Sequence, residues 1–283
     1  MTVDCHIHLF QSRVRVDRSD FILKDSAFAA LYSTPKARIS TPDQIIDYLD
    51  ENSISVAVVF GFPWKDPDLY RENNDAVLEF SLRYSDRIIP FATFGLNNPQ
   101  EACVETERTL SSGFRGLGEL SMYDTGWDRT SLKSLQECLN IASGHESPVM
   151  LHVNEPVGHH YPGKIYTDFD GLIKLIGQNP RVDFILAHFG GGIFFYALMP
   201  EIGAILRRTY LDTAAAPFIY DTRIYEMCMR VLGENNILFG SDYPLLGLAR
   251  YQRDIDKSLL TPEQKEKLLH VNASRLLGLV TAD

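Results

Sequence analysis

Val3-Asp4-Cys5-His6-Ile7-His8-Leu9 and Ile237-Leu238-Phe239-Gly240-Ser241-Asp242 decide the fold between them. Each is a short apolar run that ends in side chains able to hold a metal ion. Six further runs of the same kind lie between them, at 54–60, 88–95, 114–120, 149–153, 182–188 and 209–213. They are too short for typical helices and rich in β-branched and aromatic residues, so they read as strands. Their nearly unbroken apolar character suits parallel strands buried on both faces.

Helical patterns fill the gaps. Thr41-Pro42-Asp43 supplies an N-cap followed by a first-turn proline, with Ile45, Ile46 and Leu49 on one face, and Thr261-Pro262-Glu263 repeats that start. Further helical patterns fall at 75–84, 101–110, 131–142, 169–176, 202–206 and 220–232. A chain of 283 residues suits either two domains of about 150 residues or one α/β barrel of about 250. The strand ends recur at the spacing of a strand plus its crossover helix. The fold class predicted is therefore α/β, a single (β/α)8 TIM barrel spanning 1–283. The longest gap, 10–40, is predicted to be a long loop covering the C-terminal face of the barrel.

Composition removes several function classes. The net charge is −10, from 27 basic and 37 acidic residues, so there is no basic footprint for nucleic acid. Cys5, Cys103, Cys138 and Cys228 form no CxxC pair and read as small apolar residues in a reducing compartment. No apolar run reaches the roughly 18 residues of a membrane span. The opening MTVDCHIHLF lacks a basic stretch followed by an apolar one, so a cytoplasmic protein with no membrane partner is expected.

The chemistry begins with His6 and His8. Two residues apart on a strand, they share a face, and alone they are equally well a solvated pair. Their context changes that reading. His152 closes the run 149–151, His188 closes 184–187, Glu119 ends 114–118, and Asp242 follows 237–241. Six metal-competent side chains thus stand at the carboxyl ends of five strands, and in a barrel those ends converge where active sites are built. Imidazole nitrogen suits Zn²⁺.

This ordered set, with Ser241-Asp242-Tyr243-Pro244 and the terminal Val271-Asn272-Ala273-Ser274-Arg275-Leu276-Leu277-Gly278-Leu279, resembles the amidohydrolase superfamily. Within it, the chain is similar to the amidohydrolase-related branch that includes aminocarboxymuconate semialdehyde decarboxylase. The resemblance implies a deformed barrel with one or two divalent metals, Zn²⁺ foremost with Mn²⁺ or Fe²⁺ as alternatives. It makes His6, His8 and Asp242 direct ligands, joined by His152, and makes His188 a second-metal ligand or a hydrogen-bond donor to substrate. Many binuclear members carry a bridging carboxylated lysine on strand four. Here Glu119 stands there, either as the bridge or as the partner of a positive group such as Arg115.

The family expectation is a hydrolase that acts on an amide, lactone or ester of a small anionic substrate. Zinc lowers the pKa of bound water to about 7, Asp242 relays the proton, and His188 supports the developing oxyanion. The alternative is a decarboxylase of a small aromatic or enoic acid, which the same ligands permit.

The loops add substrate candidates. In Asn154-Glu155-Pro156-Val157-Gly158-His159-His160-Tyr161-Pro162-Gly163-Lys164, the residues His159, His160, Tyr161 and Lys164 are expected to bind substrate; the plainer alternative is a polar surface loop. Phe189-Gly190-Gly191-Gly192 lacks a phosphate-loop pattern, so its glycines are expected to allow close backbone approach. Phe194, Phe195 and Tyr196 suit a pocket wall or a subunit interface, which leaves a homodimer open. Asp212 is expected either to orient a neighbour or to serve as a structural hydrogen-bonding group. Arg13, Arg15, Arg18, Lys24, Lys36 and Arg38 form either an anion clamp or a solvated segment, and Trp64 is a candidate pocket floor.

Overall fold

Eight parallel strands follow one another round the sheet in chain order in a computed structural model that describes residues 1–123 and 125–279. Position 124 and positions 280–283, which belong to the expected 1–283 domain, lie outside the described residues. The strands are β1 (Val3–His8), β2 (Val56–Phe60), β3 (Ile88–Ala92), β4 (Gly116–Leu120), β5 (Val149–Leu151), β6 (Phe184–Leu186), β7 (Tyr210–Asp212) and β8 (Ile237–Leu238). Helices occupy the connections, giving the (β/α)8 barrel expected from the spacing. The last strand returns to the first through three backbone hydrogen bonds: Cys5 N to Phe239 O (2.8 Å), Asp242 N to His6 O (2.9 Å) and His8 N to Tyr243 O (2.9 Å).

Two apolar layers follow from strand alternation. Val56, Val58 and Phe60 join Val3, Cys5, Ile89, Phe91, Met150, Ile185 and Leu238 in one buried cluster. The alternate residues Ala57 and Val59 pack into the larger core shared with the helices. Ala273 and Leu277, from the helix Asn272–Leu277, pack against the first cluster. Helix starts obey local chemistry: the Thr261 side chain accepts from Gln264 N at 3.2 Å ahead of the helix Pro262–Glu266.

The segment after β1 differs from the expected loop. It holds three short helices, Ser12–Val16, Arg18–Lys24 and Ser26–Tyr32, pinned by interlocking rings of Phe10, Phe21, Phe28, Tyr32 and Phe62. Trp64 belongs to the same cluster; it is 1% exposed and donates to Asn73 at 3.1 Å. It therefore supports the pocket wall from behind and is not a floor. The helix expected at 75–84 begins earlier, as Pro67–Arg83, because Asp66 caps it ahead of Pro67 and a first turn that buries Leu69 and Tyr70. The structure adds a helix, Leu248–Lys257, whose Leu248, Tyr251 and Ile255 recur at helical spacing, the last two buried.

The β8–β1 junction carries an unusual buried carboxylate. Asp4 is fully buried; its Oδ1 accepts from His6 N (3.1 Å) and Ser241 N (2.9 Å), and its Oδ2 accepts from the Tyr48 hydroxyl (3.1 Å). Removing it strands two buried N–H groups, so Asp4→Ala is expected to cost the metal-free protein about 3 kcal/mol. Tyr48→Phe, which removes one donor, should cost about 1 kcal/mol. Urea unfolding at constant m-value measures both.

Cysteine reactivity gives a second check. Burial pushes the Cys138 thiol up to about 12 and those of Cys5 and Cys228 well above their ordinary value; at half-exposed Cys103, burial and Glu137 raise the thiol to about 11. A thiol reagent at pH 8 should leave Cys5, Cys138 and Cys228 unlabelled in the folded protein and should label Cys103 only slowly. Fast labelling of any buried cysteine in the native state would contradict the packing described.

Candidate metal centre and substrate cavity

Two register shifts aim the central ligands. Asp4 and Ile7 align with Ala57 and Val59 of β2, so β1 holds one more residue than β2 across the same span. Leu117 and Leu120 of β4 likewise align with Val149 and Leu151 of β5. Such bulges re-aim side chains at barrel rims, and here the first precedes His8 and the second contains Glu119. Gly118, within the second, has φ +127°, and a Cβ there would lie 2.6 Å from Met150 O. Only glycine fits that approach.

The remaining ligands stand just beyond their strands. His152 donates its backbone N–H to Leu120 O at 2.9 Å. His188 and Asp242 both adopt left-handed backbone, each with φ 59°. For non-glycine residues this costs of order 1–3 kcal/mol and tends to cluster at functional sites. Gly191 (φ +60°) meets the expectation of close approach, since a Cβ there would lie 2.4 Å from Asn154 O.

All six candidate ligands come together. Glu119 Oε1 lies 2.9 Å from His152 Nδ1 and 3.3 Å from His188 Nε2; its Oε2 lies 3.9 Å from both His6 Nε2 and His8 Nε2. Asp242 Oδ1 lies 3.7 Å from His6 Nε2 and 3.3 Å from His8 Nε2. Two overlapping groups result, His6–His8–Glu119 and Glu119–His152–His188, with donor atoms within 4.8 Å of one another in each. Arg115 is not the partner of Glu119; it donates to Leu277 O at 3.0 Å.

Hydrogen bonds at the outer ring nitrogens orient three imidazoles. His6 Nδ1 faces Asp212 at 2.8 Å, His8 Nδ1 faces Gly61 O at 3.1 Å, and His188 Nδ1 faces Ala214 O at 3.0 Å. A proton on each Nδ1 leaves the Nε2 lone pair facing inward. His152 is reversed: its Nε2 meets Asn154 Oδ1 at 2.8 Å, so Nδ1 faces the cluster.

The electrostatics fit a cation. Burial alone would lower the His6 pKa, but Asp212, Glu119 and Asp242 overcome it and raise it to about 10. Burial likewise opposes the charge on His188, and Glu119 carries it up to about 9. Burial opposes ionisation of Glu119, yet His152 and His6 hold its carboxyl well below the usual range. His6 Nε2 is buried with no hydrogen-bond partner. An unpartnered ring nitrogen facing two carboxylates in a low-dielectric interior is what a divalent ion satisfies. The donor set of imidazoles and carboxylates suits Zn²⁺, Mn²⁺ or Fe²⁺.

A cavity of about 540 Å³ opens above this cluster. His8, Glu119, His152, His188 and Asp242 line it, as do His159 and Tyr161. His160 and Lys164 do not. Lys164 pairs with Glu155 at 3.0 Å and donates to Val157 O at 2.5 Å, so it braces the loop. Of the basic residues of the first segment, Lys36 and Arg38 line the cavity; Arg13 pairs with Glu72 and Arg18 donates to Thr34 O. Phe194 is buried, whereas Phe195 and Tyr196 are about half exposed and stand outside the cavity wall. The rings that do form the wall, Tyr32, Phe62, Tyr123 and Phe218, were not singled out from the sequence. Phe62 and Tyr123 stand two and three residues past the last residues of β2 and β4, the same kind of position that exposed the ligands.

The amidohydrolase family model matches residues 3–279, nearly the whole chain. The chain belongs to the amidohydrolase family. Solved structures with the same fold include 5-carboxyvanillate decarboxylase from Sphingomonas paucimobilis, at 14% identity and TM-score 0.77, covering 99% of each chain. A dihydroxybenzoic acid decarboxylase from Polaromonas sp. JS666, with manganese and 2-nitroresorcinol bound, is 17% identical at TM-score 0.73, covering 99% of this chain and 98% of its own. A probable 2-pyrone-4,6-dicarboxylic acid hydrolase from Acinetobacter baumannii, with citric acid bound, is 15% identical at TM-score 0.64, covering 98% and 99%. These likenesses show the fold. No curated protein matches the chain. No helix among the described residues is long and apolar enough to cross a membrane.

A ligand that binds only the folded state raises stability by about 2.7 kcal/mol at a hundredfold excess over Kd. In a chain of this size that is a rise in Tm of about 4–5 °C. Mn²⁺ or Zn²⁺ added to chelator-stripped protein should produce such a rise, and His6→Ala should remove most of it.

Proposed function

We propose that this member of the amidohydrolase family is a divalent-metal-dependent decarboxylase of a small aromatic carboxylic acid. The observation that carries the reading is the cavity itself: a ligand cluster at its base and the rings of Tyr32, Phe62, Tyr123 and Phe218 on its walls. The Phe62 and Tyr123 rings lie within 9° of parallel, a wall suited to a flat ring. Structural neighbours that carry decarboxylase names support the same reading. His6, His8, His152 and Asp242 would hold the metal, which would supply a Lewis acid for the oxygens of the substrate.

The protein side chains do the rest. Lys36 and Arg38 on the cavity wall attract an anionic acid to a chain of net charge −10. The aromatic walls exclude water, so the carboxylate charge is least favoured before reaction and is lost as carbon dioxide leaves. His188 lines the cavity with Nδ1 tied to Ala214 O; as the imidazolium that Glu119 favours, it carries a second proton on Nε2, which it delivers to the ring carbon. The carbon–carbon bond then breaks, its electrons return to the ring, and the products are carbon dioxide and the decarboxylated arene. Asp242, also on the cavity wall, is the second group placed to hold a proton.

One observation favours a second reading, the metal-dependent hydrolase of an amide, lactone or ester. Glu119 belongs to both ligand groups, as a carboxylate that bridges two ions would. The two readings separate in one experiment. Metal-loaded enzyme is incubated with hydroxybenzoic and carboxyvanillic acids while carbon dioxide is measured, and in parallel with lactones, amides and esters. Carbon dioxide release that falls about 10²-fold or more in His188→Ala is expected. Lactone, amide or ester cleavage without carbon dioxide release, two ions per chain and loss of both in Glu119→Ala would establish the hydrolase instead.

A further inference from the structure

Asp212, the last residue of β7, is fully buried and lies outside the candidate ligand set. Its two oxygens are shared between the two halves of the cluster. Oδ2 meets His6 Nδ1 at 2.8 Å. Oδ1 accepts from the backbone N–H groups of His188 (2.9 Å) and Ala214 (3.0 Å). Room for this contact comes from Gly240, where a Cβ would lie 2.8 Å from His6 Cβ and 3.3 Å from Asp212 Cβ.

We propose that Asp212 is a positioning residue that holds His6 as an Nε2 donor and locks the left-handed turn presenting His188. Both overlapping ligand groups then depend on one carboxylate. The inference rests on the reading of His6 as a metal ligand and is independent of the reaction catalysed.

The chemistry is specific to a carboxylate. Oδ1 is committed to two backbone donors, and Oδ2 requires a proton on His6 Nδ1. An imidazole with its proton on Nδ1 carries its lone pair on Nε2, the atom that faces Glu119 and Asp242. Asparagine has nearly the same shape but cannot satisfy both sides. With its oxygen toward the backbone donors, its NH₂ faces His6 Nδ1 and drives the proton to Nε2, where it blocks the ligand atom. With the amide reversed, the NH₂ faces two N–H groups and the His188 turn loses its anchor. Asp212→Asn therefore damages metal binding through the tautomer of one ring, with little loss of volume.

The test is Mn²⁺ affinity by chelator competition on stripped wild-type protein and Asp212→Asn. Orienting partners of metal ligands typically change affinity about 10–100-fold, and a loss in that range is expected. Because the variant can fail to fold, the wild type provides an independent readout. In ¹⁵N-histidine spectra of the Zn²⁺-loaded protein, with His6 assigned by comparison with His6→Gln, His6 should carry its proton on Nδ1 and none on Nε2. Unchanged Mn²⁺ affinity in a folded Asp212→Asn, or a proton on His6 Nε2 in the loaded wild type, overturns the inference and leaves the metal site standing. Absence of Mn²⁺ and Zn²⁺ binding by the wild type overturns both.

Discussion

The hydrogen bond from Asp242 N to His6 O, at 2.9 Å, is the constraint on which the rest of the molecule depends. It closes the sheet and at the same time sets two candidate ligands from distant parts of the chain side by side. Asp4 reinforces it from the other face by accepting from both His6 N and Ser241 N. Fold and site are consequently not separable here. Whatever opens the seam between the last strand and the first also parts His6 and His8 from Asp242.

Within that frame, the site is a problem of balancing charge without water. Glu119, Asp212 and Asp242 face His6, His8, His152 and His188 in a volume almost wholly removed from solvent. The strained turns at His188 and Asp242, and the bulges in β1 and β4, hold the side chains where regular strands would not. A divalent cation supplies the missing positive charge. Above it the environment changes sharply to aromatic rings, and two cationic side chains stand on the wall. A polar base beneath an apolar chamber suits chemistry in which a charge is bound, stripped of water and then lost.

Much of this was legible in the sequence because barrel strands announce their own ends. His6, His8, Glu119, His152, His188 and Asp242 each terminate an apolar run, so position along the strand translated directly into position at the site. The spacing of those ends also gave the number and order of the strands. What the sequence concealed depends on neighbours distant along the chain. The bulges in β1 and β4 are visible only once β2 and β5 are laid beside them. The helices between residues 12 and 32 are short, and rings from Phe62 and Trp64 stabilise them more than local pattern does. Lys164 looked like a substrate contact by type and place, and only the position of Glu155 shows that it braces its own loop. The reaction was the least legible feature, since these ligands serve hydrolysis and decarboxylation alike.

The seam has a consequence in time as well as in space. Asp4 and Ser241 are 237 residues apart, so the contact that completes the barrel is among the longest-range in the chain. On a ribosome, His6 and His8 emerge long before Asp242 exists to join them. Contacts of such sequence separation form late and slowly. Assembly of the candidate ligand set is thereby deferred until Asp242 has been made, and a chain interrupted before it carries the histidines without the enclosure that brings them together.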